Sequence, residues 1–130
     1  MRPDGLWHPR LMEILVGLGH TDLIVVADAG LPVPRGVERI DLVWSRGEPG
    51  FLPVLSAVLG EAVFEHVTYA TELTHQATLD GLIGALAPTT SHSQLPHEQL
   101  KLITAGARAV VRTGETTPYA NAVLHAGVAF

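Results

Sequence analysis

The sequence contains no cysteine. Disulfides, thiolate catalysis, iron–sulfur clusters and cysteine-ligated zinc are therefore excluded. Lys101 is the only lysine, so Schiff-base chemistry would depend on that one residue. Basic residues are few: eight Lys and Arg against 13 Asp and Glu leave a formal charge of −5. No segment gathers Lys and Arg with aromatics between them, which argues against nucleic-acid binding. No apolar run approaches the roughly 20 residues of a membrane span. No basic stretch, apolar core and small-residue cleavage site open the chain, so no secretion signal is expected. A cytoplasmic protein fits these absences best.

Nucleotide and metal signatures are missing too. Gly17-Leu-Gly-His-Thr-Asp22 resembles part of a dinucleotide fingerprint. It lacks the third glycine, and its order is helix then strand where a pyrophosphate site needs strand then helix. There is no Walker Gly-x-x-x-x-Gly-Lys and no Gly-x-Ser-x-Gly elbow. None of the seven histidines forms a His-Glu-x-x-His or His-x-His unit, and His92 and His97 stand five apart across a proline. These patterns predict neither a metal nor a nucleotide site.

What is present suits one domain, residues 1–130, with a true core. Apolar residues make up 47%, too many for a disordered chain. In so short a chain, part of that surface is expected to be buried between subunits, giving a homo-oligomer.

Trp7 to Leu18 has the spacing of an amphipathic helix, with Pro9 in its first turn. Gly19 is placed to take a left-handed conformation just beyond it. Leu23 to Ala27 is a short, unbroken apolar run, β-branched at three positions. It predicts a strand covered on both faces, as in a parallel sheet. Gly30, Pro32 and Pro34 then break any regular structure. Val37 to Trp44 predicts a second strand, with Ile40, Leu42 and Trp44 on one face. Pro49 or Gly50 opens a helix to Leu59, and Ser45 and Glu48 have capping-box spacing. Ala62 to Ala70 alternates as a strand, with Val63, Glu65, Val67 and Tyr69 on one side. Thr71 to Leu86 is helical in pattern. Ala87 to Gln94 leaves room for at most a short strand. His97 to Thr104 predicts a helix after Pro96, and strands come next at Ala107–Arg112 and Tyr119–Leu124. Strands and helices alternating throughout mean a layered α/β domain.

His20 and Asp28 bracket the first strand. His20 is a titratable group in a helix-to-strand turn, where sites on α/β scaffolds form. It is equally a residue that a helix C-terminus would favour as a cation. Asp28 is either part of a site or a cap for backbone amides in the Ala29-Gly30 turn. An extended run from 20 to 28 spans roughly 26 Å at about 3.3 Å per residue, so the two should not touch within one subunit. Tyr119 and Asn121, two apart on the expected last strand, would face one side and offer a phenol and a carboxamide. His97 reads first as an exposed residue at a helix start. His8, His66, His75, His92 and His125 read as scattered, structural histidines.

Leu18-Gly-His-Thr-Asp22, Asp28-Ala-Gly-Leu-Pro-Val-Pro34, Arg112-Thr-Gly-Glu-Thr-Thr-Pro-Tyr-Ala-Asn121 and Ala126-Gly-Val128 together resemble the D-ribose pyranase (RbsD) family over nearly the whole chain. The related L-fucose mutarotases share the histidine and the aspartate, but Ala-Gly-Leu-Pro-x-Pro looks like the ribose branch. The resemblance implies a three-layer, Rossmann-like α/β/α sandwich with a mostly parallel sheet. It implies pentameric rings stacked into a decamer, with sites near subunit contacts, and no cofactor or metal. It makes His20 the acid–base residue, and Asp28, His97, Tyr119, Ala120 and Asn121 the binders of D-ribose. The implied reaction interconverts β-D-ribopyranose and β-D-ribofuranose by ring opening and closure. The rival readings are a mutarotase for another sugar, such as L-fucose, and a non-catalytic sugar-binding subunit.

Overall fold

Leu11, Ile14 and Leu15 repeat at three- and four-residue spacing and bury one side of the first helix, α1 (Pro9–Val16). The computed structural model describes every residue from Met1 to Phe130. In chain order α1 is followed by β1 (Leu23–Ala27), β2 (Glu38–Asp41), α2 (Phe51–Leu59), β3 (Phe64–Ala70) and α3 (Gln76–Ala85). Then come β4 (Ser91–Leu95), α4 (His97–Ile103), a 3₁₀ turn (Thr104–Gly106), β5 (Ala109–Arg112) and β6 (Ala122–Ala126).

The strands form one six-stranded sheet in the order β2-β5-β1-β6-β3-β4. β1 pairs in parallel with β5, β5 with β2, and β3 with β4. β6 runs antiparallel to both β1 and β3. Five strands thus share one direction, and β6 alone opposes them.

Successive strand residues point to opposite faces. Ile24 and Val26 join Val67, Tyr69, Val111 and Leu124 beneath α1, α2 and α3. Val25 and Ala27 join Ala70, Val110 and Val123 beneath Leu100 of α4. Two apolar cores on two faces of a sheet make the α/β/α sandwich.

Several local expectations give way to tertiary contacts. α1 stops at Val16, and its C-cap Gly17 is right-handed (φ −84°). The left-handed residue is Thr21 (φ 69°), not Gly19. A closed turn makes the difference: Asp22 N–H donates to the Gly19 carbonyl, and Gly19 N–H to the Asp22 carboxylate. His20 therefore lies beyond the last turn of α1, outside the short reach of its dipole.

β2 ends at Asp41, whose Oδ1 accepts from Val43 N–H at 3.2 Å, and Trp44 is exposed. α2 is not capped by a Ser45–Glu48 box. Gly50 is its N-cap, and the distant Glu115 accepts from Phe51 N–H at 3.0 Å. β3 shifts register between Phe64 and His66. The bulge falls at Glu65 and breaks the expected alternation, so Phe64 joins Val67 and Tyr69 in the core. α3 begins only at Gln76, because His75 caps it through Nδ1, and Leu73 is buried ahead of it. His8 caps α1 in the same way, accepting from Leu11 N–H at 3.1 Å. The polar Ser91–Leu95 segment does form a strand, at the sheet edge where one side of its backbone needs no partner.

The last strand begins at Ala122 rather than Tyr119. Tyr119 is left-handed (φ 64°), and Asn121 N–H donates to the Tyr119 carbonyl at 2.8 Å in a tight turn. The two side chains are thus not a strand pair on one face.

Candidate functional site

The direction of the strands sorts the candidate residues. Asp28 follows the carboxyl end of β1, and Glu72 and His97 follow β3 and β4 at the same edge. β6 runs the other way, so Tyr119, Ala120 and Asn121, which precede it, arrive at that edge too. Carboxyl ends of parallel strands are the usual place for ligands on such sheets.

Asp28 is held by its neighbours in a fixed pose. Its N–H donates to Asn121 Oδ1 at 2.8 Å, and Asn121 Nδ2 donates to Asp28 Oδ2 at 3.1 Å. Its other oxygen accepts from Gly30 N–H at 2.9 Å. Asn121 is fully buried. The turn behind Asp28 is braced by Thr113, whose hydroxyl donates to the Ala27 carbonyl at 2.7 Å, and by Arg112 Nε, which donates to the Ala29 carbonyl at 3.0 Å.

Asp28, Gly30, Leu31, Pro32, His97, Pro118 and Tyr119 line an open cavity of about 240 Å³. The His97 and Tyr119 rings meet edge to face, with centroids 5.0 Å apart. His97 Nδ1 is buried and has no hydrogen-bond partner. Buried polar atoms are nearly always paired, so this nitrogen is open to a partner from outside the chain, a water or a ligand. The backbone of His97 is anchored by Glu72, whose two oxygens each accept its N–H at 3.0 Å. The Thr71 hydroxyl, and after it that N–H, hold the Glu72 carboxyl below the ordinary carboxylate value. A second cavity of about 400 Å³ shares Asp28, Gly30 and Pro118 and is walled by Glu115, Thr116 and Thr117. Burial works to raise the Glu115 pKa, but N–H groups of Phe51, Thr117 and Thr116 outweigh it and lower the value. Ala120 has its side chain in the main core and is fully buried.

His20 is elsewhere. It precedes β1 at the opposite edge of the sheet, on the tip of the Gly19–Asp22 turn. Thr21 N–H donates to the Ala126 carbonyl and Ala126 N–H to the Asp22 carbonyl, tying that turn to the end of β6. Arg108 secures it from β5's side, donating to Asp22 Oδ2 at 2.9 Å. The imidazole is half exposed, with Nε2 3.0 Å from Glu65 Oε2. It borders a hollow of about 430 Å³ with Leu15, Leu18, Gly127 and Phe130. No three His, Asp or Glu side chains converge as metal ligands would.

Sequence reasoning passed over Glu65, Glu72 and Glu115. Each acts through partners far along the chain, and no spacing rule announces that. The remaining histidines are structural: His66 bonds the Ser91 and Ser93 hydroxyls at 2.6 and 2.7 Å. His125 bonds Thr68 at 3.0 Å.

The RbsD / FucU transport protein family matches residues 1–129. The chain belongs to this family. It is 47% identical to a D-ribose pyranase of Exiguobacterium sp. and 46% identical to one of Bacillus licheniformis, with the whole of each chain covered. Among solved structures it superposes on Bacillus subtilis RbsD complexed with D-ribose with a TM-score of 0.94, at 44% identity and full coverage of both chains. A fucose mutarotase from Streptococcus pneumoniae, in complex with L-fucose, has a TM-score of 0.78 at 24% identity over 95% of this chain and 94% of its own. That likeness is one of fold. The fold described above is shared with both solved structures.

Proposed function

We propose that this chain is a D-ribose pyranase that interconverts β-D-ribopyranose and β-D-ribofuranose. The observation that carries the reading is the cavity shared by Asp28, His97 and Tyr119, buttressed by Asn121, in a chain alike over its full length to D-ribose pyranases. Asp28 offers a fixed acceptor for sugar hydroxyls, the unpaired His97 Nδ1 a further polar contact, and Tyr119 a phenol and a ring face.

Ring opening removes the proton of the anomeric hydroxyl and breaks the bond between C1 and the ring oxygen. The released oxygen takes a proton, and C1 becomes a carbonyl. Closure reverses these steps with the C4 hydroxyl in place of the C5 hydroxyl. In this scheme a protonated His20 gives its proton to the ring oxygen. The neutral imidazole then takes one from the C4 hydroxyl as that oxygen attacks C1. The anomeric proton passes to solvent water on opening and returns from it on closure, so the sum is an isomerisation. General acid–base help of this kind is typically worth about 10²–10⁴ in rate.

His20 and the Asp28 cavity belong to opposite sheet edges of one chain. The proposal therefore joins the His20 of one subunit to the Asp28 cavity of the next, in an assembly of pentameric rings paired as a decamer. The exposed position of His20 supports this reading.

Saturation-transfer NMR on D-ribose tests it. The wild-type chain should speed exchange between pyranose and furanose signals. His20→Ala should lose about 10²–10⁴ of that acceleration while still binding ribose. Exchange of L-fucose anomers alone would replace ribose as the substrate. Ribose binding without faster exchange would leave a sugar-binding subunit.

A further inference from the structure

We infer that Glu65 is the positioning residue for His20, and that it makes Nδ1 the nitrogen that trades protons with the sugar. The inference rests on the proposed acid–base role of His20. Glu65 stands at the register shift of β3, and bulges serve to re-aim a side chain out of the regular alternation. Its carboxylate lies 3.0 Å from His20 Nε2, the one hydrogen bond the ring makes within the chain. A carboxylate only accepts, so Nε2 carries the hydrogen. In the neutral ring the lone pair is then on Nδ1.

The two partners are brought to this distance by separate parts of the fold. The Gly19–Asp22 turn, bonded to Ala126, presents His20. The far end of β6 presents Glu65 from the other side. Gly127 N–H donates to the Val63 carbonyl at 2.9 Å, and a Cβ on Gly127 would come within 3.3 Å of Glu65 Cβ. The absent side chain at 127 thus admits β3 close to the end of β6.

This arrangement suits the proposed cycle. When the ring is charged, Nε2–H stays on Glu65 and Nδ1–H, which has no partner within the chain, is left for the sugar. Nδ1 gives its proton to the ring oxygen on opening and recovers one from the C4 hydroxyl on closure. Nε2 keeps its hydrogen throughout, so the imidazole need not turn between the two half-reactions. An orienting partner for a catalytic imidazole acts in this way generally.

The test uses the full-length protein with ¹⁵N-labelled histidine, His20 being assigned from the resonance missing in His20→Asn. Glu65→Ala keeps the Cβ beside Gly127, and Glu65→Gln keeps an acceptor oxygen. In the wild type the ¹⁵N shifts should show the Nε2–H tautomer. Glu65→Ala should mix the tautomers and lower kcat about 10- to 100-fold, a share of the full acid–base effect, with KM for ribose within about threefold. Glu65→Gln should keep the tautomer and restore most of kcat. An Nδ1–H tautomer in the wild type would overturn the inference. So would an unchanged tautomer and kcat in Glu65→Ala. Should Glu65→Ala fail to fold, the wild-type shifts and Glu65→Gln decide. If the tautomer responds as expected but the wild type does not speed ribose exchange, the proposed function fails while the positioning by Glu65 stands.

Discussion

Asn121 grips Asp28 at two points, accepting its backbone N–H at 2.8 Å and donating to its carboxylate at 3.1 Å. The two are 93 residues apart, and the amide is fully buried. Truncating Asn121 leaves the Asp28 N–H without its acceptor. Asn121→Ala should cost about 1–3 kcal/mol in urea unfolding, the penalty for an unsatisfied buried polar group. Because the carboxylate is then held only by the Gly30 N–H, ribose affinity measured by NMR should fall as well.

Glu72 holds the start of α4 by accepting the His97 N–H with both oxygens. Glu72→Ala removes that anchor without touching the cavity wall. The His97 ring should lose its fixed place against Tyr119. The expected result is a severalfold rise in KM for ribose with kcat changed less, since the imidazole of His20 is untouched. Steady-state exchange rates over a range of ribose concentrations check it.

Thr21 has a branched side chain at a positive φ of 69°, a conformation that costs of order 1–3 kcal/mol and collects at functional turns. Thr21→Gly should relieve the strain. Its own unfolded-state entropy offsets part of the gain, so stability should rise by no more than about 1 kcal/mol. The looser turn should hold His20 less well and lower kcat. Thermal melts read the first effect and exchange NMR the second.

Stability should fall toward acid in two stages. Burial and then the nearby His66 lower the pKa of His125 from its ordinary 6.5, while Glu65 opposes them less strongly. The unfolded chain therefore binds that proton more readily. The contribution is present above about 6.5 and is lost as the pH falls through the lower folded value. Glu72 and Glu115 are held below the ordinary 4.5, so their contributions fade as the pH drops below that. Urea midpoints from pH 8 to 3 should show both steps. His125→Gln should remove the first and leave the second.

The sequence by itself determined the alternation of strands and helices, the core strand Leu23–Ala27 and the polar residues that bracket it. Those are local matters: apolar periodicity, β-branching, and the positions of proline and glycine act over a few residues. Tyr119 shows where local reasoning ends. Read as a strand residue paired with Asn121, it occupies a left-handed turn, and its ring meets His97. Glu65 shows the same limit, because a bulge breaks the alternation expected of it. Only the tertiary structure decided that β6 runs against its neighbours, which carries Tyr119 and Asn121 to the edge of Asp28 and His97. It also set His20 at the far edge, beside Glu65. Long-range pairing fixes these placements, because strand direction and register depend on partners distant in the chain and leave no periodic trace near the residues they move.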